Sequence, residues 1–229
     1  MGFDRGFETV RSRRSAIASA YVAPVLSWVE VAQDIGASHI WLNGDSLDDV
    51  GGSSDPVEYE DTVSWVSGPN GRSAVDCGTI ALVGDTSDIS VSSGLSIEFW
   101  VKDSKTSGSY RTMFHGFGAK FYINNSTFKA EDSSGPNDVM ISGSDLPNGS
   151  WRQVVVVNSS PPKVYVDGVA AVLPLYGFSF TDSSVVTLGA VNFTGGVFGS
   201  YYSGDVSSVA VYPSVLSVVD IARLYSAVG

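Results

Sequence analysis

Apolar and polar residues alternate at period two near the middle of the chain. Within residues 95–102, one set of alternate positions holds Leu95, Ile97, Phe99 and Val101, and the other holds Ser96, Glu98, Trp100 and Lys102. Because successive side chains of a strand point to opposite faces of its sheet, this alternation predicts a half-buried strand. Two shorter runs, 111–115 and 119–123, are separated by Gly116 and Gly118 and predict a hairpin.

Two later segments carry strong local signals. Trp151–Val157 is a nearly continuous apolar run that is too short for a typical helix and rich in valine, which predicts a central strand. Residues 164–166 then lead into Asp167-Gly168 and Val169. An Asp-Gly pair between β-branched residues is typical of a two-residue turn, so we expect a tight hairpin there.

The C-terminal end predicts one more strand and a short helix. Residues 205–212 alternate and stop at Pro213. Ser217, with Asp220 three residues later, matches a capping box that begins a helix. An apolar stripe at helical spacing, predicted to pack on the sheets, is formed by Val218, Ile221, Leu224 and Tyr225.

The N-terminal segment lacks strand-like alternation at its start. Residues 7–21 are compatible with a short helix that ends before Pro24. We interpret residues 1–36 as an N-terminal docking arm and residues 37–229 as one domain. Two roles for the segment stay open: it closes the folded domain, or it attaches that domain to something larger.

Composition indicates one folded all-β domain. The chain has 229 residues, a length that β-sandwiches reach as a single domain. Hydrophobic residues make up 43% and charged residues only 16%, which is typical of globular proteins. Abundant glycine and serine between short apolar runs favour many strands joined by tight turns.

Charge and cysteine content exclude several classes of protein. The net charge of −11 repels phosphate backbones, so we expect no nucleic-acid partner. No apolar stretch approaches the roughly 20 residues of a membrane helix, so we expect a soluble protein. Cys77 is the single cysteine, which excludes an internal disulfide and predicts a buried structural thiol.

Five segments, taken in order, resemble a known superfamily. They are HIWLNGD (39–45), SIEFWVK (96–102), WRQVVVV (Trp151–Val157), VYVDG (164–168) and VAVYPSVLSVVDIARLY (209–225). Their order is similar to that of the concanavalin A-like, laminin G-like jelly-roll superfamily. The resemblance implies an all-β, two-sheet antiparallel jelly-roll sandwich with a short C-terminal helix. Because this fold hosts lectins, hydrolases, adhesins and assembly proteins, the ligand needs separate arguments.

The N-terminal arrangement resembles that of tailed-phage virion proteins. It consists of an arm with Tyr21 and Val25 followed by a strand near Trp41 and Leu42. The resemblance implies an accessory structural protein on the virion surface, either a capsid decoration or a minor tail protein, that presents a lectin-like domain to bacterial surface glycans. The candidate contacts with capsid or tail proteins are Arg5, Arg11, Arg13 and Arg14.

Two alternative functions stay open beside the virion hypothesis. The first is a secreted or surface carbohydrate-binding module of a bacterium, which would be extracellular. The second, a more distant alternative, is a glycoside hydrolase. A hydrolase on this fold needs two carboxylates about 5 to 9.5 Å apart. Related hydrolases carry Glu-x-Asp-x-x-Glu on a strand, and the stretch EYED (58–61) does not match it.

Neither histidine sits in a catalytic or metal-binding motif. His39 and His115 lack the neighbours of a Ser-His-Asp triad or of a zinc site, so we expect both to be structural. Together with the missing carboxylate motif, this favours a binding protein over an enzyme.

The superfamily resemblance implies one candidate metal site. Some members bind calcium through acidic loop residues, and Asp85 and Asp88 occupy such a loop here. Calcium takes 6 to 8 oxygen ligands, and the companion positions on the closing strand hold Ser207 and Ser208. We therefore expect no cofactor, with Asp85 and Asp88 as the ligands if calcium binds.

Tyrosines next to glycine-rich segments are the candidate sugar-binding residues. Tyr201 and Tyr202 follow Gly195, Gly196 and Gly199, and Tyr176 belongs to another aromatic cluster. Aromatic rings offer an apolar face for stacking together with a polar edge. The alternative, that these rings pack in the core, stays open.

Overall fold

The structure is a computed structural model of the chain. It describes residues 26–42, 47–50, 52, 55–59, 63–78, 80–104, 111–124, 127–132, 138–140, 149–171, 180–193 and 197–228. The predicted helix within 7–21, the four arginines of the arm and Tyr176 lie outside these residues.

Strands dominate the described residues. In chain order the helices and strands are α1 Trp28–Ile35, β1 His39–Trp41, β2 Val57–Tyr59, β3 Trp65–Ser67, β4 Ser73–Asp76, β5 Ala81–Asp85, β6 Ser96–Asp103, β7 Arg111–Gly116, β8 Ala119–Asn124, β9 Thr127–Asp132, β10 Asp138–Met140, β11 Trp151–Val157, β12 Lys163–Val166, β13 Val169–Ala170, β14 Val185–Leu188, β15 Val191–Phe193, β16 Val197–Gly199, β17 Gly204–Tyr212 and α2 Val218–Ser226. Short 3-10 turns occur at Pro69–Gly71 and Val91–Ser93.

Two large antiparallel sheets form a sandwich. Sheet A has the order β13-β12-β11-β6-β17-β4-β3, with β1 also paired to β17. Sheet B has the order β10-β9-β8-β7-β14-β5-β2, and β15 and β16 form a separate hairpin. This architecture confirms the predicted all-β jelly-roll sandwich with a short C-terminal helix.

The main hydrophobic core lies between the two sheets. Strand β6 contributes the predicted apolar face, so that Ile97, Phe99 and Val101 are buried there. The rings of Phe99 on sheet A and Phe114 on sheet B stack with centroids 6.0 Å apart. Cys77 is buried in the same core, as predicted, and burial raises the pKa of its thiol.

The predicted turns are confirmed. Asp167 and Gly168 both have positive φ, 52° and 75°, which is the backbone of a type I′ turn between β12 and β13. The hairpin of β7 and β8 turns at Phe117 and Gly118. In α2, the Ser217 side chain accepts from the Asp220 amide while the Asp220 carboxylate accepts from the Ser217 amide, which completes the capping box.

The outer face of β6 is buried from Ser96 to Trp100, and the prediction of a half-buried strand at 95–102 was wrong in this respect. Ser96, Glu98 and Trp100 point away from the core, yet each is at most 5% exposed. Helices α1 and α2 cover this face with Trp28, Val31, Ala32, Ile221 and Leu224. Val218 at the start of α2 is 59% exposed, so the predicted apolar stripe is only partly buried.

A buried carboxylate joins helix α1 to sheet A. Glu98 Oε1 accepts hydrogen bonds from Trp28 Nε1 at 3.0 Å and Gln153 Nε2 at 2.7 Å, and its Oε2 accepts from Tyr212 Oη at 3.1 Å. Burial raises the pKa of Glu98 more than these hydrogen bonds lower it. Residues 28–35, inside the predicted arm, thus pack on the sandwich, whereas an arm over residues 1–25 stays a prediction.

Candidate functional site

The outer face of sheet B differs from that of sheet A. In the described part of the chain no helix covers it, and the hairpin of β15 and β16 lies against it beside β7 and β14. Phe198 of this hairpin packs on Ala81 and Ala190. The hairpin therefore forms one wall along the outer face of the sheet.

A cavity of about 310 Å³ opens between this hairpin and residues 181–183. Its lining is mainly polar and includes His115 on β7, Thr187 on β14 and Asn192 on β15. Asp182 and Ser183 form its other side. The side chains that meet here come from strands that are distant in sequence but adjacent in the sheet.

A second cavity of about 290 Å³ adjoins the first. It shares Asp182 and Ser183 with it and is otherwise lined by residues 87–90 and Ser184. We call the two cavities together the polar groove. Its lining includes serine hydroxyls, the carboxylates of Asp88 and Asp182, and the amide of Asn192. The groove therefore offers both hydrogen-bond donors and acceptors.

His115 contributes a neutral imidazole to the polar groove. Its Nδ1 accepts from the backbone amide of Asn192 at 3.3 Å, which assigns the proton to Nε2. Burial lowers the pKa of His115, and the nearby charge of Lys120 lowers it further. At neutral pH this side chain is therefore an uncharged donor.

Residues 86–91 hold the wall at 181–184 through hydrogen bonds. Asp182 Oδ1 accepts from the Val91 amide at 2.7 Å and from Ser90 Oγ at 3.5 Å. Thr86 Oγ1 donates to the carbonyl of Ser183 at 3.0 Å. Because these hydrogen bonds hold the backbone in place, the hydroxyls on this wall are positioned before any ligand arrives.

Gly118 fits the turn below the polar groove for two reasons. Its φ of +72° is in the left-handed region that favours glycine. A Cβ at this position would lie 2.3 Å from Thr181 Oγ1. The glycine therefore lets Thr181 approach the β7–β8 turn, where the Thr181 amide donates to the Phe117 carbonyl at 2.9 Å.

The structure separates the two adjacent tyrosines of the sequence prediction. Tyr202 is completely buried in the core between the sheets, where burial raises the pKa of its phenol well above the usual value. Tyr201 is partly exposed and packs beside Phe198 of the hairpin. Their side chains therefore do not form one stacking surface, and Tyr176 lies outside the described residues.

Asp85 and Asp88 occupy different environments. Asp85 Oδ1 accepts from the Ser87 amide at 2.8 Å, and this hydrogen bond lowers the pKa of Asp85. Asp88 lines the polar groove and contacts His39. Among the described residues no group of three or more His, Cys, Asp or Glu side chains is arranged to hold a metal ion.

His39 lies between two carboxylates at one end of the polar groove. Its Nδ1 is 2.6 Å from Asp49 Oδ2, and its Nε2 is 3.0 Å from Asp88 Oδ1. Burial lowers the pKa of His39, but the hydrogen bonds and the attraction to Asp49 and Asp88 raise it more, so the net shift is upward. Sequence reasoning missed this cluster because its three members lie on separate segments, with Asp88 placed 49 residues after His39.

A comparison with protein families gives a match that agrees with the two-sheet sandwich. The sequence profile of the concanavalin A-like lectin/glucanases superfamily matches residues 78–222, which is more than half of the chain. The chain belongs to this superfamily. The match includes the strands from β5 to β17 and the residues of the polar groove. No helix in the described ranges is long and apolar enough to cross a membrane.

Solved structures share this concanavalin A-like fold. Domain 4 of an extracellular arabinanase from Geobacillus stearothermophilus, solved with arabinotriose, has a TM-score of 0.60 at 18% identity, covering 82% of this chain and 98% of that one. The botulinum neurotoxin serotype D ligand-binding domain, solved with N-acetylneuraminic acid, has a TM-score of 0.63 at 15% identity, covering 86% and 52%.

A third solved structure also shares the fold and, like the serotype D domain, is about twice as long as the region matched by this chain. The receptor-binding domain of the botulinum neurotoxin mosaic serotype C/D has a TM-score of 0.62 at 14% identity, covering 84% of this chain and 51% of that one. This chain therefore spans about half of each toxin domain. At these identities the likeness shows the fold alone. No curated protein matches the sequence significantly.

Proposed function

We propose that this chain is a lectin-like domain that binds glycans in the polar groove without cleaving them. The observation that carries the proposal is the lining of the groove by hydroxyls, an amide and a neutral imidazole, on a wall held by backbone hydrogen bonds. Sugars present hydroxyls that both donate and accept, and such ligands are matched by several positioned neutral partners.

The superfamily and two neighbours support a carbohydrate ligand. The superfamily is described by its lectins and glucanases. One neighbour of the same fold was solved with arabinotriose and another with N-acetylneuraminic acid. For this chain the type of sugar is set by the shape of its own groove rather than by either of those ligands.

The carboxylates of the polar groove support binding rather than catalysis. Asp182 accepts hydrogen bonds that hold residues 90 and 91, and Asp88 is bonded to His39. Both side chains thus stabilise the walls of the groove. A glycosidase needs one carboxylate that donates a proton and a second one, free to act as a base or nucleophile, on the other side of the bond.

We further propose that the domain decorates the surface of a phage particle, as a capsid decoration or minor tail protein. The resemblance of its N-terminal arrangement to tailed-phage virion proteins supports this location, and the arginines at 5, 11, 13 and 14 supply positive charge for docking on capsid or tail proteins. Repetition on a particle converts weak glycan contacts into avidity without new contacts.

A second candidate is a secreted or surface carbohydrate-binding module of a bacterium. The likeness to the arabinanase domain favours it, because that domain belongs to an extracellular bacterial enzyme and is covered almost completely. The two candidates share the glycan-binding activity and differ in location. Mass spectrometry of purified particles and of culture medium separates them, and deletion of residues 1–25 should abolish incorporation into particles if the arm docks there.

A glycan array tests the binding activity. The wild type should bind a restricted set of glycans, and His115→Ala and Asn192→Ala should weaken that binding by about tenfold each, since each removes positioned polar contacts. Lys163→Ala changes an exposed residue of sheet A and serves as the matched control. Absence of any bound glycan, or equal binding by all variants, would contradict the proposal. Release of reducing sugar from a bound glycan would contradict the non-catalytic assignment.

A further inference from the structure

Another cavity, separate from the polar groove, has aromatic walls and lies on the opposite side of the sandwich. It has a volume of about 550 Å³ and is lined by Trp100, Trp151, Tyr225, Pro69, Asn70 and Val228. We call it the aromatic cleft. It opens on the outer face of sheet A, where α2 ends at Ser226. The polar groove, in contrast, belongs to sheet B.

Strand register places the two tryptophans side by side. Trp100 on β6 pairs with Gln153 on β11, and Trp151 on β11 pairs with Lys102 on β6. The indoles are therefore diagonal neighbours on one face of the sheet, a spacing within reach of aromatic side chains. Trp100 is only 5% exposed, whereas Trp151 is partly exposed at the open side of the cleft.

Tyr225 extends this aromatic wall from the last turn of α2. Its ring is nearly parallel to that of Trp100, with an interplanar angle of 4° and centroids 6.0 Å apart. Tyr225 is 38% exposed, so the ring is held by Trp100 and still accessible to solvent. Trp100 itself belongs to the buried cluster under the helices, so the Tyr225 ring rests on packed residues and leaves part of its surface open in the described structure.

Polar groups border the aromatic wall. Asn70 is exposed and adopts a left-handed backbone conformation with φ of 49°. Lys102 Nζ lies 5.5 Å from the centre of the Trp151 ring and 2.7 Å from Asp205 Oδ2. Lys102 thus lies over the Trp151 ring outside the lining of the cleft, whereas Asn70 and Ser226 are polar residues of the lining itself. An aromatic wall with an amide and a hydroxyl at its edge matches a sugar ring, whose C–H face is apolar and whose rim carries hydroxyls.

We propose that the aromatic cleft is a second glycan-binding site, which takes one sugar ring stacked on Tyr225 and Trp151 with its hydroxyls directed to Asn70 and Ser226. The site is independent of the polar groove, because the two lie on opposite sheets. A domain with two such sites engages two glycan chains at once, or two parts of one long chain, and gains avidity from a single copy.

Titration followed by NMR tests the proposal through the indole N–H signals. Neutral hexoses, N-acetylhexosamines and N-acetylneuraminic acid are added separately up to about 10 mM, a range in which weak sites fill. The Trp151 signal, assigned by its loss in Trp151→Phe, should shift in a saturable way with at least one of these sugars. Lys163→Ala is the control and should give the same shift.

Two variants locate the bound sugar, and a folding assay of each variant separates lost binding from lost structure. Tyr225→Ala should weaken the titrated binding about tenfold, because a stacking surface is lost. Asn70→Gly keeps the backbone conformation and removes only the amide, so it should weaken binding without unfolding the protein. Chemical denaturation of each variant verifies its folding.

The outcomes separate this proposal from the proposed function. Persistence of the Trp151 shift in His115→Ala, together with about tenfold weaker binding in Tyr225→Ala, would support a second site. If every sugar leaves the Trp151 signal unchanged while the array shows binding that depends on His115, the cleft is not a glycan site and the polar groove stands. A saturable shift with a proline-rich peptide but with no sugar would also overturn the proposal.

Discussion

Trp28 anchors helix α1, so its replacement should destabilise the whole domain. The indole is completely buried on the outer face of sheet A, donates to Glu98 at 3.0 Å and lies under the guanidinium of Arg72 at 5.3 Å. Replacing a buried tryptophan by alanine costs about 3 to 5 kcal/mol through lost burial and the cavity left behind. Trp28→Ala should therefore lower the free energy of unfolding by about that amount.

Trp28→Phe separates the hydrogen bond from the packing. It retains much of the apolar volume and removes the donor to a buried carboxylate, which should cost about 1.5 to 3 kcal/mol. Urea denaturation at neutral pH measures both variants. Gln33→Ala, on the exposed face of the same helix, is the control and should stay within about 0.5 kcal/mol of the wild type.

A small effect at Trp28 would refute this reasoning. If Trp28→Ala lowers the free energy of unfolding by less than about 1 kcal/mol, helix α1 is not part of the cooperative unit. The predicted arm would then extend through residue 36. A large effect, combined with unchanged stability after deletion of residues 1–25, would place the boundary of the folded domain before Trp28.

Three further predictions concern pH dependence and capping. The raised pKa of Glu98 means that its contribution to stability is present below its ordinary value of 4.5 and is lost as pH rises through the folded-state pKa. Glu98→Gln should therefore gain stability relative to the wild type as pH rises, in urea denaturation at a series of pH values. The raised pKa of His39 likewise provides stability below 6.5 that is lost as pH rises through its folded-state pKa. His39→Gln should flatten the wild-type decline in this upper range, and an unchanged slope would contradict the role of Asp49 and Asp88. Ser217→Ala removes the cap of α2 and should cost about 0.5 to 2 kcal/mol, seen by calorimetry as a lower Tm.

Local sequence patterns were reliable where a few neighbouring residues decide the conformation. The Asp167-Gly168 turn depends on two positive φ angles, and the capping box depends on Ser217 and Asp220, three residues apart. The alternation along β6 correctly identified the face that enters the main core. Each of these features depends on residues that are close together in the sequence, so the local sequence is enough to predict it.

The candidate sites depended on contacts between distant parts of the chain. Tyr201 and Tyr202 are adjacent in sequence, but one packs on the outer hairpin and the other enters the core. His39 finds Asp49 and Asp88 only because β1 lies beside two loops that the sandwich brings together. The sequence contains these residues without showing their distances.

The sequence by itself predicted strands β6, β7, β8, β11, β12 and β17 and the turns between neighbouring strands, because period-two alternation and turn chemistry are local properties. The two-sheet fold was implied by the resemblance to the superfamily. Tertiary structure alone decided which outer face is covered and which is open. Helices α1 and α2 bury Glu98 and the outer face of β6, yet α2 ends before it covers Trp151. Packing between segments that are far apart in the chain therefore decides where a ligand finds exposed polar or aromatic side chains.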